Sequence, residues 1–334
     1  MSARARRAAP AALATAALVA GALARRADAR RLARRTTGTS PSLRTDDGVR
    51  LHVEVADEVG APTVVLVHGI GASAEMYDPQ WTALRRRARL VRYDQRGHGS
   101  SGWAGGRGAT VEQLGRDLGQ VVDELGGDGP VVVVGHSMGG MAVLALAAGR
   151  PELFGSRIAG AALMSTRAAP LTGAERASTP VTARARTRLS TGGAWAVWLM
   201  APLMGALHPF RSRPGQRLLR RQLFAGDPPV GAVQAMSRMW ADTPAGVLAA
   251  YLRSLTTYDQ RPAIAALRAV PVLVLAGTAD RTIPPRSAPR MAAQIGERAE
   301  LVLVPGAGHL VNVSHPDTVD AALGALLDRV QAAT

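Results

Sequence analysis

Cysteine is absent from all 334 residues, which excludes disulfides and cysteine-ligated metals and leaves any covalent chemistry to another nucleophile. The absence does not fix a redox compartment, because an exported protein can also lack cysteine. Lysine is missing as well. All 40 basic residues are arginine, and with the abundant alanine this fits a coding bias toward GC-rich codons, which explains much of the net charge of +15. No helix-turn-helix, zinc-finger or RNA-binding signature accompanies that charge, so nucleic acid is not an expected partner. Internal repeats are also lacking.

What is present is a chain long enough for one large α/β domain with an insertion, and 47% of it is hydrophobic, enough for a substantial core. The positive charge is confined to two regions: nine arginines against one aspartate in residues 1–35, and thirteen arginines against four acids in 165–262. Such concentrations suit an anionic membrane surface or acidic substrates.

Residues 1–40 read as an Arg/Ala-rich leader. Arg4, Arg6 and Arg7 precede an uncharged stretch of seventeen residues ending at Ala24, and Arg25, Arg26, Arg30, Arg31, Arg34 and Arg35 follow. As a helix the stretch would be roughly 25 Å long, just short of the ~30 Å hydrocarbon core. It resembles a signal peptide or a short membrane anchor, with a plain Ala/Arg tail as the other reading. Small residues at Ala22-Leu23-Ala24 and Ala27-Asp28-Ala29 suit a signal peptidase, but arginines directly behind them oppose export. The denser arginines on the carboxyl side would keep the remainder cytoplasmic. A membrane-associated or cytoplasmic protein is therefore expected, with export as the alternative.

From Leu43 onward the pattern becomes strand-like. Val49, Leu51, Val53 and Val55 alternate after a turn at Asp46-Asp47-Gly48, as in a half-exposed hairpin. Continuous apolar runs recur at 64–67, 90–93, 131–134, 158–164, 272–276 and 301–304, as expected of strands covered on both faces. Helices fit 110–126, 138–149, 287–295 and 316–331, with Thr110 and Glu112 starting the first and Pro316 in the first turn of the last. This alternation predicts an α/β fold with a doubly wound, mostly parallel sheet, built from 41–164 and 263–334. Residues 165–262 show no clear strand and read as a helical cap. Within them Trp195, Trp198, Leu199, Met200, Leu203, Met204, Leu207 and Phe210 form an apolar run, and five arginines lie between 211 and 221.

Three loops carry candidate chemistry. Gly135-His136-Ser137-Met138-Gly139 follows one apolar run and precedes a helix, as a nucleophile on a strained strand-to-helix turn requires; glycines on either side leave room that a side chain would fill. A serine hydroxyl is a weak nucleophile and needs a base, which in turn needs an acid to orient it. His309, in Pro305-Gly306-Ala307-Gly308-His309, follows the run 301–304. Asp280, in Gly277-Thr278-Ala279-Asp280, follows 272–276. Both stand at the carboxyl ends of strands, where ligands collect in open α/β sheets. Asp259 is a reserve acid. An oxyanion needs donors, and the backbone N–H groups of Met138 and of Ile70, in His68-Gly69-Ile70-Gly71, are the candidates. His68, Gly69, Trp195, Trp198, Met200 and Met204 are candidates for lining the substrate pocket.

These motifs, with Asp94-Gln95-Arg96-Gly97-His98-Gly99-Ser100-Ser101, resemble the α/β-hydrolase fold family over residues 43–334. The resemblance implies a serine esterase or lipase with a helical cap, no metal or organic cofactor, and a small-molecule ester or lipid substrate. No obligate protein partner is evident. Thioesterase, perhydrolase or haloperoxidase-like activity on the same triad, or a silent ligand-binding homologue, are the alternatives. Epoxide hydrolases and dehalogenases of the family use an aspartate at the position of Ser137. The resemblance also implies that Asp94, Arg96 and His98 stabilise a loop; His136 and His315 are read as structural.

Overall fold

A computed structural model describes residues 42–57, 62–170 and 209–333. The leader and the run containing Trp195, Trp198, Met200 and Met204 lie outside these residues. The eight strands are β1 (Ser42–Arg44), β2 (Arg50–Ala56), β3 (Thr63–Val67), β4 (Arg89–Tyr93), β5 (Val131–His136), β6 (Ile158–Met164), β7 (Val272–Gly277) and β8 (Ala299–Val304). They form one sheet in the order β1-β2-β4-β3-β5-β6-β7-β8. β1 and β2 pair antiparallel across the Asp46-Asp47-Gly48 turn, and β2 pairs antiparallel with β4; the other neighbours are parallel.

Side chains alternate across a strand, so each apolar run feeds two cores. On one face Val65, Val67, Val131, Val133, Val272 and Val274 meet α2 (Val111–Leu125), α3 (Met138–Gly149) and α7 (Ser287–Ile295). On the other Val64, Leu66, Val132, Val134, Leu273 and Leu275 meet α1 (Asp78–Leu84) and α8 (Pro316–Ala333). Burying each such side chain contributes roughly 1.5–3 kcal/mol before conformational entropy is set against it. Thr110 caps α2 as expected, accepting the Gln113 N–H at 3.1 Å. The run 301–304 departs from expectation: β8 ends the sheet, and Leu301 and Leu303 remain about 40% exposed (39% and 40%), with no further strand or helix among the described residues closing over them.

Between β6 and β7 the described residues hold α4 (Arg213–Leu223), α5 (Ala232–Asp242) and α6 (Ala245–Thr257). Their apolar sides enter the same two cores: Leu219, Leu223, Phe224 and Met236 join one, Val247, Ala250, Tyr251 and Leu255 the other. No described helix is long and apolar enough to cross a membrane.

The chain steps from β3 to β4 on one side and then to β5 on the other, so the order reverses between β3 and β5. Loops leaving the carboxyl ends of such a pair diverge and open a crevice. The pairing of Val67 with Gly135 brings the 68–71 loop beside Ser137.

Candidate active site

Ser137 ends the turn between β5 and α3 with φ 53° and ψ −116°, a backbone conformation that non-glycine residues seldom adopt and that costs about 1–3 kcal/mol. Close packing holds it there. A Cβ on Gly139 would lie 2.1 Å from the Val67 carbonyl oxygen, and one on Gly135 would lie 2.5 Å from that of Gly139, so both glycines are fixed by contact rather than by flexibility. The Ser137 N–H donates to the Met164 carbonyl at 2.9 Å, while its own carbonyl accepts the Thr166 hydroxyl at 2.7 Å and the Met141 N–H at 3.1 Å. Thr166 is a support that the sequence did not signal; it has no motif, and only folding brings it against Gly140.

The three candidate loops converge. His309 Nε2 lies 3.0 Å from Ser137 Oγ, and His309 Nδ1 lies 2.8 Å from Asp280 Oδ2. The second carboxylate oxygen of Asp280 accepts the N–H groups of Thr282 at 2.7 Å and Ile283 at 2.9 Å. With Oδ2 of Asp280 as the acceptor facing it, His309 Nδ1–H is the donor, which leaves Nε2 as the acceptor facing the serine hydroxyl. All three residues are buried. Asp259 is elsewhere, paired on the surface with Arg261 at 2.8 Å.

His136 joins two of these loops. Its Nε2–H donates to the His309 carbonyl at 2.9 Å, and the two rings are 4.9 Å apart. Burial lowers its pKa to about 3, so it stays a neutral donor. His315 contacts the neighbouring Ser314 hydroxyl at 2.9 Å.

The 68–71 loop lies against the nucleophile. A Cβ on Gly69 would fall 3.0 Å from His136 Nδ1 and 3.2 Å from the Ser137 Cβ, a tight fit of the loop against the nucleophile turn. Met138, first in α3, has no intrahelical acceptor for its N–H, as at any helix start. The expectation for His68 is corrected. Instead of lining a pocket it is fully buried, donating from Nδ1 to the Gly69 carbonyl at 2.8 Å and accepting the Gln95 N–H at Nε2 at 2.8 Å. Gln95 also donates to the His68 carbonyl, and burial lowers the His68 pKa to about 4. Both ring nitrogens thus serve the shape of the loop.

The Asp94-to-Ser101 segment is a brace. Asp94 accepts the N–H groups of Ala74 at 2.8 Å and Ser100 at 2.7 Å, with burial raising its pKa. The fully buried Arg96 guanidinium contacts Asp117 at 2.5 Å and Asp47 at 2.7 Å. His98 Nδ1 lies 3.2 Å from the Arg96 carbonyl.

The inserted helices touch the 68–71, Asp280 and His309 loops. Trp240 of α5 fills the space a Cβ would need on Gly71, whose φ is +70°. Leu223, at the end of α4, accepts the Leu310 N–H at 3.1 Å, and the Gln222 carbonyl faces the Thr282 hydroxyl at 3.4 Å. Neither Trp240 nor Leu223 carries a motif that sequence reading detects. Their proximity depends on how α4 and α5 settle over the sheet.

A family model described as "Alpha/beta hydrolase family" matches residues 64–322. Epoxide hydrolase A of Mycobacterium tuberculosis is 29% identical over 83% of this chain and 94% of its own. Among solved structures, a thermophilic esterase from Thermogutta terrifontis is 25% identical with a TM-score of 0.68, covering 88% of this chain and 99% of its own. An enol-lactonase from Burkholderia xenovorans is 26% identical with a TM-score of 0.67, covering 86% and 100%.

Proposed function

Because the chain belongs to the alpha/beta hydrolase family, we propose that it is a serine hydrolase cleaving carboxylic esters through an acyl-enzyme, with Ser137 as nucleophile. The observation that carries this reading is the continuous contact from Ser137 Oγ through His309 to Asp280, at 3.0 and 2.8 Å. In the first half-reaction Ser137 Oγ bonds to the acyl carbon as its proton passes to His309 Nε2. The N–H groups of Met138 and Ile70 hold the resulting oxyanion. Collapse expels the alcohol, which takes the proton from His309. Water, deprotonated by the same nitrogen, then attacks the acyl carbon and releases the acid and Ser137. Asp280 keeps Nδ1 protonated and balances the imidazolium charge.

A serine at this position also weighs against the epoxide chemistry named for one relative. Opening an epoxide with a hydroxyl would leave an ether, which has no carbonyl for water to attack, whereas an acyl-serine has one.

Residues 165–262 are read as a cap over this site, supported by the contacts of α4 and α5 with the His309, Asp280 and Gly71 loops. Ile70 on the 68–71 loop and Trp240 packed against Gly71 are partly buried apolar side chains, which favours an apolar acyl group. Each added methylene that is buried would raise kcat/KM by about fourfold, from roughly 0.8 kcal/mol of transfer energy.

A fluorophosphonate probe and a panel of p-nitrophenyl esters from acetate to dodecanoate test the reading. Covalent labelling of the protein and its loss in Ser137→Ala are expected. Labelling that survives this substitution, or no hydrolysis of any acyl ester, would refute the assignment. A rate that peaks at acetate and vanishes beyond butyrate would remove the apolar-acyl preference alone. The arginine excess supports work at an anionic lipid surface, for which salt-sensitive cosedimentation with phosphatidylglycerol vesicles is the expected result; no cosedimentation at any ionic strength would dismiss it.

A further inference from the structure

His309 is followed at once by a single helical turn, Val311–Ser314, and the 68–71 loop by another, Ala74–Tyr77. Neither is long enough to hold itself, because a first turn fixes several dihedral angles for one hydrogen bond. A pair of fully buried amides joins them. Asn312 donates from Nδ2 to the Met76 carbonyl at 3.2 Å. Gln80, on α1, donates from Nε2 to the Asn312 carbonyl at 3.1 Å and to Asp320 Oδ1, on α8, at 2.9 Å. The bridge therefore closes between segments 236 residues apart in the chain.

Both turns are tied in their turn to the candidate site. The Tyr77 hydroxyl donates to the Val67 carbonyl at 3.0 Å, at the strand end from which the 68–71 loop departs, and that same oxygen is the one Gly139 packs against below the nucleophile turn. On the other side the N–H groups of Val313 and Ser314 donate to the carbonyl of Leu310, the residue next to His309, at 3.2 and 3.0 Å. Two buried amides are a costly way to hold helices together. Asn312 Oδ1 is buried with no hydrogen-bond partner among the described residues, a desolvation cost that a leucine of similar size would avoid. Leucine would fill the space but could not direct the two carbonyls it meets.

We propose that Asn312 and Gln80 are positioning residues for His309: their amide bridge fixes the histidine loop against the turn behind the 68–71 loop and so holds the imidazole in line between Ser137 and Asp280. A misplacement of about 1 Å in a reacting group can cost on the order of 10²-fold in rate, so a bridge remote from the chemistry bears on turnover. This deepens the hydrolase reading. Its kinetic consequence rests on that reading, whereas the placement of the ring does not.

The test uses the full chain and two variants, Asn312→Leu and Gln80→Met, which keep side-chain volume while removing the donors. Steady-state hydrolysis of p-nitrophenyl butyrate gives kcat and KM. The ring-nitrogen NMR shifts of His309 in 15N-labelled protein, identified by their loss in His309→Gln, report its tautomer and hydrogen bonds without any turnover. In both variants kcat is expected to fall by about tenfold with KM changed by less than about twofold, and the His309 shifts to move. A purely structural role would lower Tm but leave kcat and the His309 shifts at wild-type values; that result in either folded variant overturns the proposal. If the wild-type chain hydrolyses no ester while its His309 shifts still move in the variants, the hydrolase reading falls and the placement of His309 by Asn312 and Gln80 stands.

Discussion

Asp280 shows how much a single carboxylate can be asked to hold: one oxygen takes two backbone N–H groups and the other faces His309 Nδ1 at 2.8 Å. Under the proposed mechanism, Asp280→Asn removes the charge that balances the imidazolium and lets an amide face Nδ1, which moves the ring proton to Nε2. We expect kcat to fall on the order of 10³- to 10⁴-fold with KM little changed, measured in steady-state ester hydrolysis. His136 is a positioning residue by its contact with the His309 carbonyl. Replacing it by leucine should lower kcat by about tenfold, the scale of one buried hydrogen bond, and His136→Gln, which keeps a donor, should recover part of the loss. An equal loss in both variants would assign His136 to packing alone.

At the scale of elements, the contacts between strands and helices decide which glycines matter. Gly139→Ala forces a methyl group to within 2.1 Å of the Val67 carbonyl where β3 meets α3, and should destabilise the fold by about 1–3 kcal/mol in urea unfolding. Gly149 ends α3 with open space around it, so Gly149→Ala should be neutral or stabilise by up to about 1 kcal/mol. Gly139 is marked in the sequence by its place two residues after Ser137, whereas no motif surrounds Gly149. The elements themselves were legible: the apolar runs at 64–67, 90–93, 131–134, 158–164 and 272–276 are buried strands, and Thr110 and Pro316 stand where α2 and α8 begin. The half-exposed β8 was not, since an apolar run does not reveal whether a neighbour follows it in the sheet. His68 was misplaced for a related reason. A histidine beside glycines suits a pocket wall and a loop brace equally, and the brace is set by Gln95.

Across the whole molecule, His68, His98 and His136 lie buried and uncharged, with pKa values lowered to about 4, 3 and 3 by loss of solvation. Unfolded histidines take up protons as pH falls through about 6.5, while these three resist until pH 3–4. The unfolded chain therefore binds more protons in that interval, so the stability present above pH 6.5 is lost progressively down to about 4. The urea midpoint should fall steadily between pH 7 and 4.5, and His98→Gln should flatten the slope; a midpoint constant over that range would contradict the assignment of neutral buried rings. Asp94 and Asp117, raised by burial, act in the opposite direction.

What the sequence determined by itself was local: where strands and helices lie, and which turns can hold a serine, an aspartate and a histidine at strand ends. Periodicity, capping and glycine geometry act between near neighbours in the chain. The tertiary structure decided which of those groups touch, because Ser137 and His309 are 172 residues apart and meet only once five parallel strands have stacked in the order β3-β5-β6-β7-β8. It also decided that α4 would meet the Asp280 loop, where Arg281 donates to the Arg221 carbonyl. That contact follows from the packing of Leu219, Leu223 and Phe224 into the sheet's core, and no periodicity in the sequence specifies which loop a buried helix will meet.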